Sequence, residues 1–166
     1  LSVEKLKRTM PEARVVHLSP RGTRWSHELA CQWALEGRDL IFVATRYAGA
    51  DERFLKEFCD CEISVGDFVV SGGEMPAMLV IDSILRQKEG VLGNRDSSLK
   101  DSFVDGQLEA PQYTRPQVWR GHEVPEILRC GDHKKLAAYQ KLAALSVTVE
   151  RRPDLLTRDR VRQDYK

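Results

Sequence analysis

Residues Ser64 to Ala77 read Ser-Val-Gly-Asp-Phe-Val-Val-Ser-Gly-Gly-Glu-Met-Pro-Ala, a β-branched and aromatic run that passes straight into a glycine pair. Glycines at 72 and 73 let the main chain turn tightly and approach a ligand with no Cβ in between. Glu74 and Pro76 suit the first turn of a helix, where the missing N–H of proline is no loss. Residues 78–85 then supply an apolar helix. Backbone donors and acceptors laid bare at a strand-to-helix junction are what α/β folds use to hold a cofactor.

Other chemistries are excluded or weakened by spelling. The first strand is followed by Ser19-Pro20-Arg21-Gly22, so the Gly-x-Gly-x-x-Gly dinucleotide fingerprint is missing. No Walker A sequence is present, which removes a P-loop. The four cysteines are Cys31, Cys59, Cys61 and Cys130. Cys59-Asp60-Cys61 lacks the spacer of common zinc hooks, and no metal site or disulfide framework is expected. What remains is a site built from main-chain groups in loops.

The elements that must position such a site are legible. Residues 13–18, 39–44 and 61–65 read as short strands, and the helix over 27–36 has Ser26 as its cap. A second helix is expected near 51–58, and a third from His133 to Leu145. Strand, helix and strand in that order predict a parallel sheet. Three loops, at 18–22, 44–50 and 64–73, then fall on one sheet edge. Residues 89–125 are rich in turn formers and lack periodicity, as functional loops or disordered segments do.

These readings divide the chain into an α/β core (1–88), a linker (89–125) and a small helical unit (126–166). Periodicity alone gives a doubly wound or flavodoxin-like sheet. The 42% hydrophobic content is ordinary for a globular chain. No apolar run approaches the roughly 20 residues of a membrane span, and no basic-then-apolar leader opens the chain. A cytoplasmic location without membrane contact is therefore expected. Charge is uneven: 14 Lys/Arg face 18 Asp/Glu in residues 1–111, but 12 face 7 in residues 112–166. A basic C-terminal third suits a polyanion, or simply a solvated helical surface.

Four ordered motifs carry a resemblance. They are Ser64-Val65-Gly66-Asp67 through Ala77; Arg46-Tyr47, Gly49 and Asp51-Glu52-Arg53; Gly90-Val91-Leu92-Gly93 followed by Asp101-Ser102-Phe103; and Tyr113-Thr114-Arg115-Pro116. From about Val15 to Leu156 the chain resembles the bacterial tRNA (guanine-N1)-methyltransferases of the TrmD family, in the knotted SPOUT class. The resemblance implies an α/β parallel-sheet core with a deep trefoil knot and a small C-terminal helical domain. It implies S-adenosylmethionine as cofactor, lined by Leu18, Ser19, Pro20, Thr45, Tyr47, Ala48, Ser64, Val65, Gly66, Phe68, Val70, Gly72, Gly73 and Pro76. It further implies a homodimer with a shared active site, a magnesium ion whose position no carboxylate cluster marks, and the anticodon arm of tRNA as partner.

Guanine N1 carries a proton in its neutral form, so methylation there needs one carboxylate and one cation. By resemblance Asp101 is the general base and Arg86 steadies charge on the base. An aspartate with the ordinary pKa of about 3.9 is a weak base unless the guanine is acidified, which a cation favours. Ser102, Arg115 and His133 are candidates for tRNA contact. From spacing alone, Asp101 reads more simply as a turn cap and Arg86 as a snorkelling helix-end side chain, an order that the flanking motifs reverse. A catalytically inactive tRNA-binding homologue and a flavodoxin-like small-molecule domain stay open as alternatives.

Two departures matter. The chain begins at Leu1, and roughly the first quarter of the family's sequence is not in it, which puts its competence in question. Ala44-Thr45-Arg46-Tyr47-Ala48-Gly49 stands where the family has Cys-Gly-Arg-Tyr-Glu-Gly. A branched Thr45 in place of glycine and a lost carboxylate at Ala48 predict weaker cofactor binding or slower turnover.

Overall fold

The computed structural model describes residues 2–91 and 101–157. Leu92 and Gly93 of the third motif, Lys100, and the end of the chain from residue 158 lie outside them. The chain divides into two compact units, Leu1–Ser98 and Leu99–Lys166. Among the described residues no helix is long and apolar enough to cross a membrane.

The first unit is a three-stranded parallel sheet in the order β2-β1-β3. Its elements run α1 (Ser2–Thr9), β1 (Arg14–Arg24), α2 (His27–Glu36), β2 (Leu40–Val43), α3 (Glu52–Phe58), β3 (Cys61–Ser64) and α4 (Glu74–Leu85). Successive side chains of a strand point to opposite faces, and β1 shows both. Val16 and Leu18 pack with Ile63 against Trp33 of α2 and Ala77, Val80 and Ile84 of α4. Val15, with Ala13 and Ile41, instead packs against Val3 of α1. Both faces of the central strand are therefore covered, as parallel sheets require.

Local sequence explains the boundaries. Ser26 is extended and accepts the Leu29 amide, which satisfies one of the first orphan donors of α2. Gly37, at φ 60°, ends that helix in the left-handed region. Asp51 caps α3 by accepting the Arg53 amide. Residues 18–22 are expected as a loop, yet β1 continues through them. They form an excursion, with Leu18 and Thr23 both in register with Ile63. The strand can rejoin the sheet because Gly22 lies against the main chain of Glu62 and Ile63 with no room for a Cβ.

The second unit holds a two-stranded antiparallel hairpin, β4 (Val118–Trp119) and β5 (His122–Glu123), a 3-10 turn (Glu126–Arg129) and α5 (His133–Arg151). Asp132 caps α5 through the Lys134 and Lys135 amides. The helix runs past the expected end at Leu145, because nothing interrupts it before Pro153 excludes Arg152 from helical geometry. Thr148 is fully buried on α5. Its hydroxyl donates to the Ala144 carbonyl at 2.7 Å and accepts the Leu108 amide at 2.9 Å.

Candidate functional site

The C-terminal ends of β1, β2 and β3 open onto one pocket of about 380 Å³. That volume falls within the range of small-molecule sites, which begins near 300 Å³. All three predicted loops contribute to it. Leu18, Ser19 and Pro20 come from the β1 excursion, and Thr45, Tyr47 and Ala48 from the segment after β2. Ser64, Val65, Gly66, Phe68, Val70, Gly72, Gly73 and Pro76 come from the end of β3 and the start of α4. The fourteen residues expected to line a cofactor are thus brought together around a single cavity.

The glycine pair is held by close approach. Gly73 donates its amide to the Thr45 carbonyl at 2.9 Å. A Cβ there would stand 2.8 Å from the Ala44 Cα. The neighbouring residues Arg46 and Gly72 form an isolated antiparallel bridge. Arg46 Nε lies 2.8 Å from Glu74 Oε1, and the Glu74 carboxyl is held below its usual range by its own main-chain amide and by Arg46. Two loops that are separate in sequence are therefore laced into one wall.

Other groups shape the rim and floor. Tyr47 has φ 59° and a fully exposed ring; left-handed backbone in a bulky residue costs of order 1–3 kcal/mol and clusters at ligand sites. Phe68 and Val70 are exposed and give the opening an apolar lip. Ser64 is buried, and its hydroxyl contacts both the amide and the carbonyl of Gly66. It shapes the loop from within.

The floor holds residues that the sequence reading did not select. His17 lies on β1 with Nδ1 2.8 Å from Glu62 Oε1 and Nε2 3.1 Å from Thr45 Oγ1. Arg21 reaches both Glu62 and Glu52. Burial pushes the Glu62 carboxyl up, but hydrogen bonds from His17 and Arg21 outweigh it and leave it lowered. The available signal was a polar ring inside an otherwise apolar strand, Val15-Val16-His17-Leu18.

The remaining candidates fall in both units. Arg86 is the exposed C-cap of α4. Asp101, in the second unit, is half-buried at the start of a turn in which the Val104 amide reaches its carbonyl. Phe103 in that turn has φ 79°. The Ser102 hydroxyl accepts the Glu109 amide at 3.0 Å. Arg115 and His133 are exposed, the latter at the first position of α5.

Comparison with known proteins decides the family. The profile described as tRNA (Guanine-1)-methyltransferase TrmD matches residues 2–158.

The chain belongs to the TrmD family.

Named relatives agree. A tRNA (guanine-N(1)-)-methyltransferase of Dechloromonas aromatica is 48% identical over 147 residues, covering 89% of this chain and 58% of the relative. The protein of the same name from Myxococcus xanthus is 47% identical over 157 residues, covering 95% of this chain and 63% of its own length. That of Psychromonas ingrahamii is 51% identical over 146 residues, covering 87% and 58%. The chain thus spans about three fifths of the length of the curated TrmD-family relatives it matches. Within that span lie the glycine pair, the three pocket-forming loops and Asp101.

Proposed function

We propose that this chain carries the catalytic machinery of a tRNA (guanine-N1)-methyltransferase, which uses S-adenosylmethionine to methylate the guanosine 3′ of the anticodon. The observation that carries the reading is the convergence of fourteen expected cofactor residues on one pocket in a TrmD-family chain. The residues suit that cofactor. Gly72 and Gly73 keep the pocket wall packed against Ala44, Thr45 and Glu74 with no room for a side chain, and Leu18, Val65 and Val70 offer apolar surface to an adenine ring. When bound, S-adenosylmethionine supplies a methyl group on a sulfonium centre.

The protein's own share is proton and charge management. Asp101 accepts the N1 proton of guanine, freeing the lone pair that forms the new N–C bond. Arg86 steadies the negative charge that spreads toward O6 as the proton leaves. Sharing of the site across a homodimer would supply Asp101 to the cofactor pocket of the partner. The apolar side chains that α4 leaves exposed, Met75, Met78, Leu79 and Leu85, support such an interface. We assign the knotted SPOUT arrangement to the core, a cytoplasmic setting to the protein and a magnesium requirement to the reaction on family grounds.

RNA as the substrate is favoured by the second unit. Residues 111–123 are all exposed and interleave Tyr113, Arg115, Trp119, Arg120 and His122. The Arg120 guanidinium stacks 4.9 Å over the Trp119 ring. Aromatic faces beside cations suit unpaired bases on a phosphate chain. With Ser102, Arg115 and His133, this hairpin forms the surface that grips the anticodon arm.

The test is transfer of labelled methyl from S-adenosylmethionine to anticodon-stem RNA with G or A at the target position. It compares this chain, a chain extended at its N-terminus to the relatives' length, and Asp101→Ala in each. Label on the G substrate alone, lost with Asp101, supports the reading. Labelling that survives Asp101→Ala removes Asp101 as base, and no labelling by either length removes the activity.

A further inference from the structure

His17 is the least exposed titratable side chain at the pocket, at 3% of its surface. Both its ring nitrogens are engaged, one by Glu62 at 2.8 Å and one by Thr45 at 3.1 Å. A carboxylate at Nδ1 fixes the proton on that nitrogen and leaves Nε2 to accept a hydrogen bond. The Thr45 hydroxyl is the donor that meets it. Thr45 also accepts the Gly73 amide with its carbonyl, at 2.9 Å. One residue therefore ties β1, the 44–50 loop and the start of α4 together.

Thr45 stands where the family resemblance calls for glycine, a departure that predicts weaker cofactor binding or slower turnover. Its hydroxyl is tied back to the central strand through His17. We propose that His17 and Thr45 form a latch that sets the 44–50 and 71–73 loops at the spacing a ligand needs, with His17 a positioning residue. Glu62 orients the ring, and Arg21 continues the chain to Glu52 on α3. The latch replaces, with a side-chain bond, the close main-chain packing that glycine would allow at position 45. Its ligand half rests on the cofactor reading above.

Two measurements separate the latch from that reading. Hydrogen exchange needs no ligand: Thr45→Val keeps the shape of the side chain but removes the donor, and His17→Phe removes the acceptor. Each should speed exchange in peptides covering 44–50 and 71–73 by roughly tenfold, in line with one lost half-buried hydrogen bond, with α2 peptides unchanged. Unchanged exchange in both variants overturns the latch.

Binding of S-adenosylhomocysteine is then measured by calorimetry on the same proteins. Each single variant should weaken binding by roughly tenfold, and the double variant by no more than the worse single one, since the pair acts as a unit. His17→Gln, whose amide can serve both neighbours, should recover most of the affinity. Independent, additive losses, or wild-type affinity in Thr45→Val, overturn the assigned role in binding. A wild-type chain that takes up no S-adenosylhomocysteine sinks the cofactor reading and the ligand half of the proposal, while exchange alone decides the latch.

Discussion

Arg46 and Glu74 lie 28 residues apart and meet at 2.8 Å, which pins the loop after β2 to the first turn of α4. Beside them the Gly73 amide meets the Thr45 carbonyl. The pocket wall is therefore a pair of crossing loops held at two points.

Gly73→Ala should open that wall. The added Cβ would meet the Ala44 Cα, a main-chain atom with little freedom to yield, and overpacking of this kind costs about 1–3 kcal/mol. Denaturant unfolding should show the loss, and cofactor affinity should fall with it. An unchanged unfolding midpoint would mean the loops part without penalty.

Glu62 makes acid stability measurable. Its carboxyl is lowered from an ordinary 4.5 because the hydrogen bonds from His17 and Arg21 outweigh burial. A lowered folded value gives stability that is complete above the unfolded value and drains away as pH falls through the folded one. Urea midpoints of wild type and Glu62→Gln should differ most above the ordinary 4.5 and draw together only as pH falls through the lower folded value. A constant gap across that range would remove the charge from the account.

Thiol chemistry should separate the cysteines. Cys59 is half-buried, and desolvation, with Glu62 adding, pushes its thiol up to about 11. Cys130 is exposed. Since the thiolate is the reactive form, iodoacetamide at neutral pH should label Cys130 well before Cys59. Mass spectrometry of a time course reads the order directly.

Trp119 offers an optical probe of the proposed RNA surface. Of the three tryptophans, Trp25 and Trp33 form an edge-on pair in the core at 4.9 Å, and Trp119 is 58% exposed. Loop-bearing anticodon-stem RNA should quench Trp119 emission, and Trp119→Ala should weaken binding by roughly tenfold, as stacking losses do. Equal affinity of wild type and variant would move the RNA surface elsewhere.

The sequence exposed whatever was encoded locally. Ser26 caps α2 as expected, α3 falls within the helix expected near 51–58 with Asp51 as its cap, and the β-branched pair Val15-Val16 marks a buried strand. The glycine pair announces a junction where loops meet. What escaped notice depends on distant partners. His17 finds Glu62 only after 45 residues of chain, and Gly22 earns its place through the main chain of β3. The hairpin at 118–123 has two residues per strand, too few for any period to register. The end of α5 was hidden because only Pro153 stops it.

The bond between the Leu108 amide and the Thr148 hydroxyl spans 40 residues. It makes the turn that carries Asp101 dependent on the second half of a helix far along the chain. Loop closure over such a span is slow to form but adds little extra free-energy cost with length. This long-range anchor of the segment bearing the carboxylate thus forms only once α5 is wound as far as residue 148. A ribosome would have to release most of this unit before it could form, whereas the local bonds from Val104 to Asp101 and from Glu109 to Ser102 need only the segment itself.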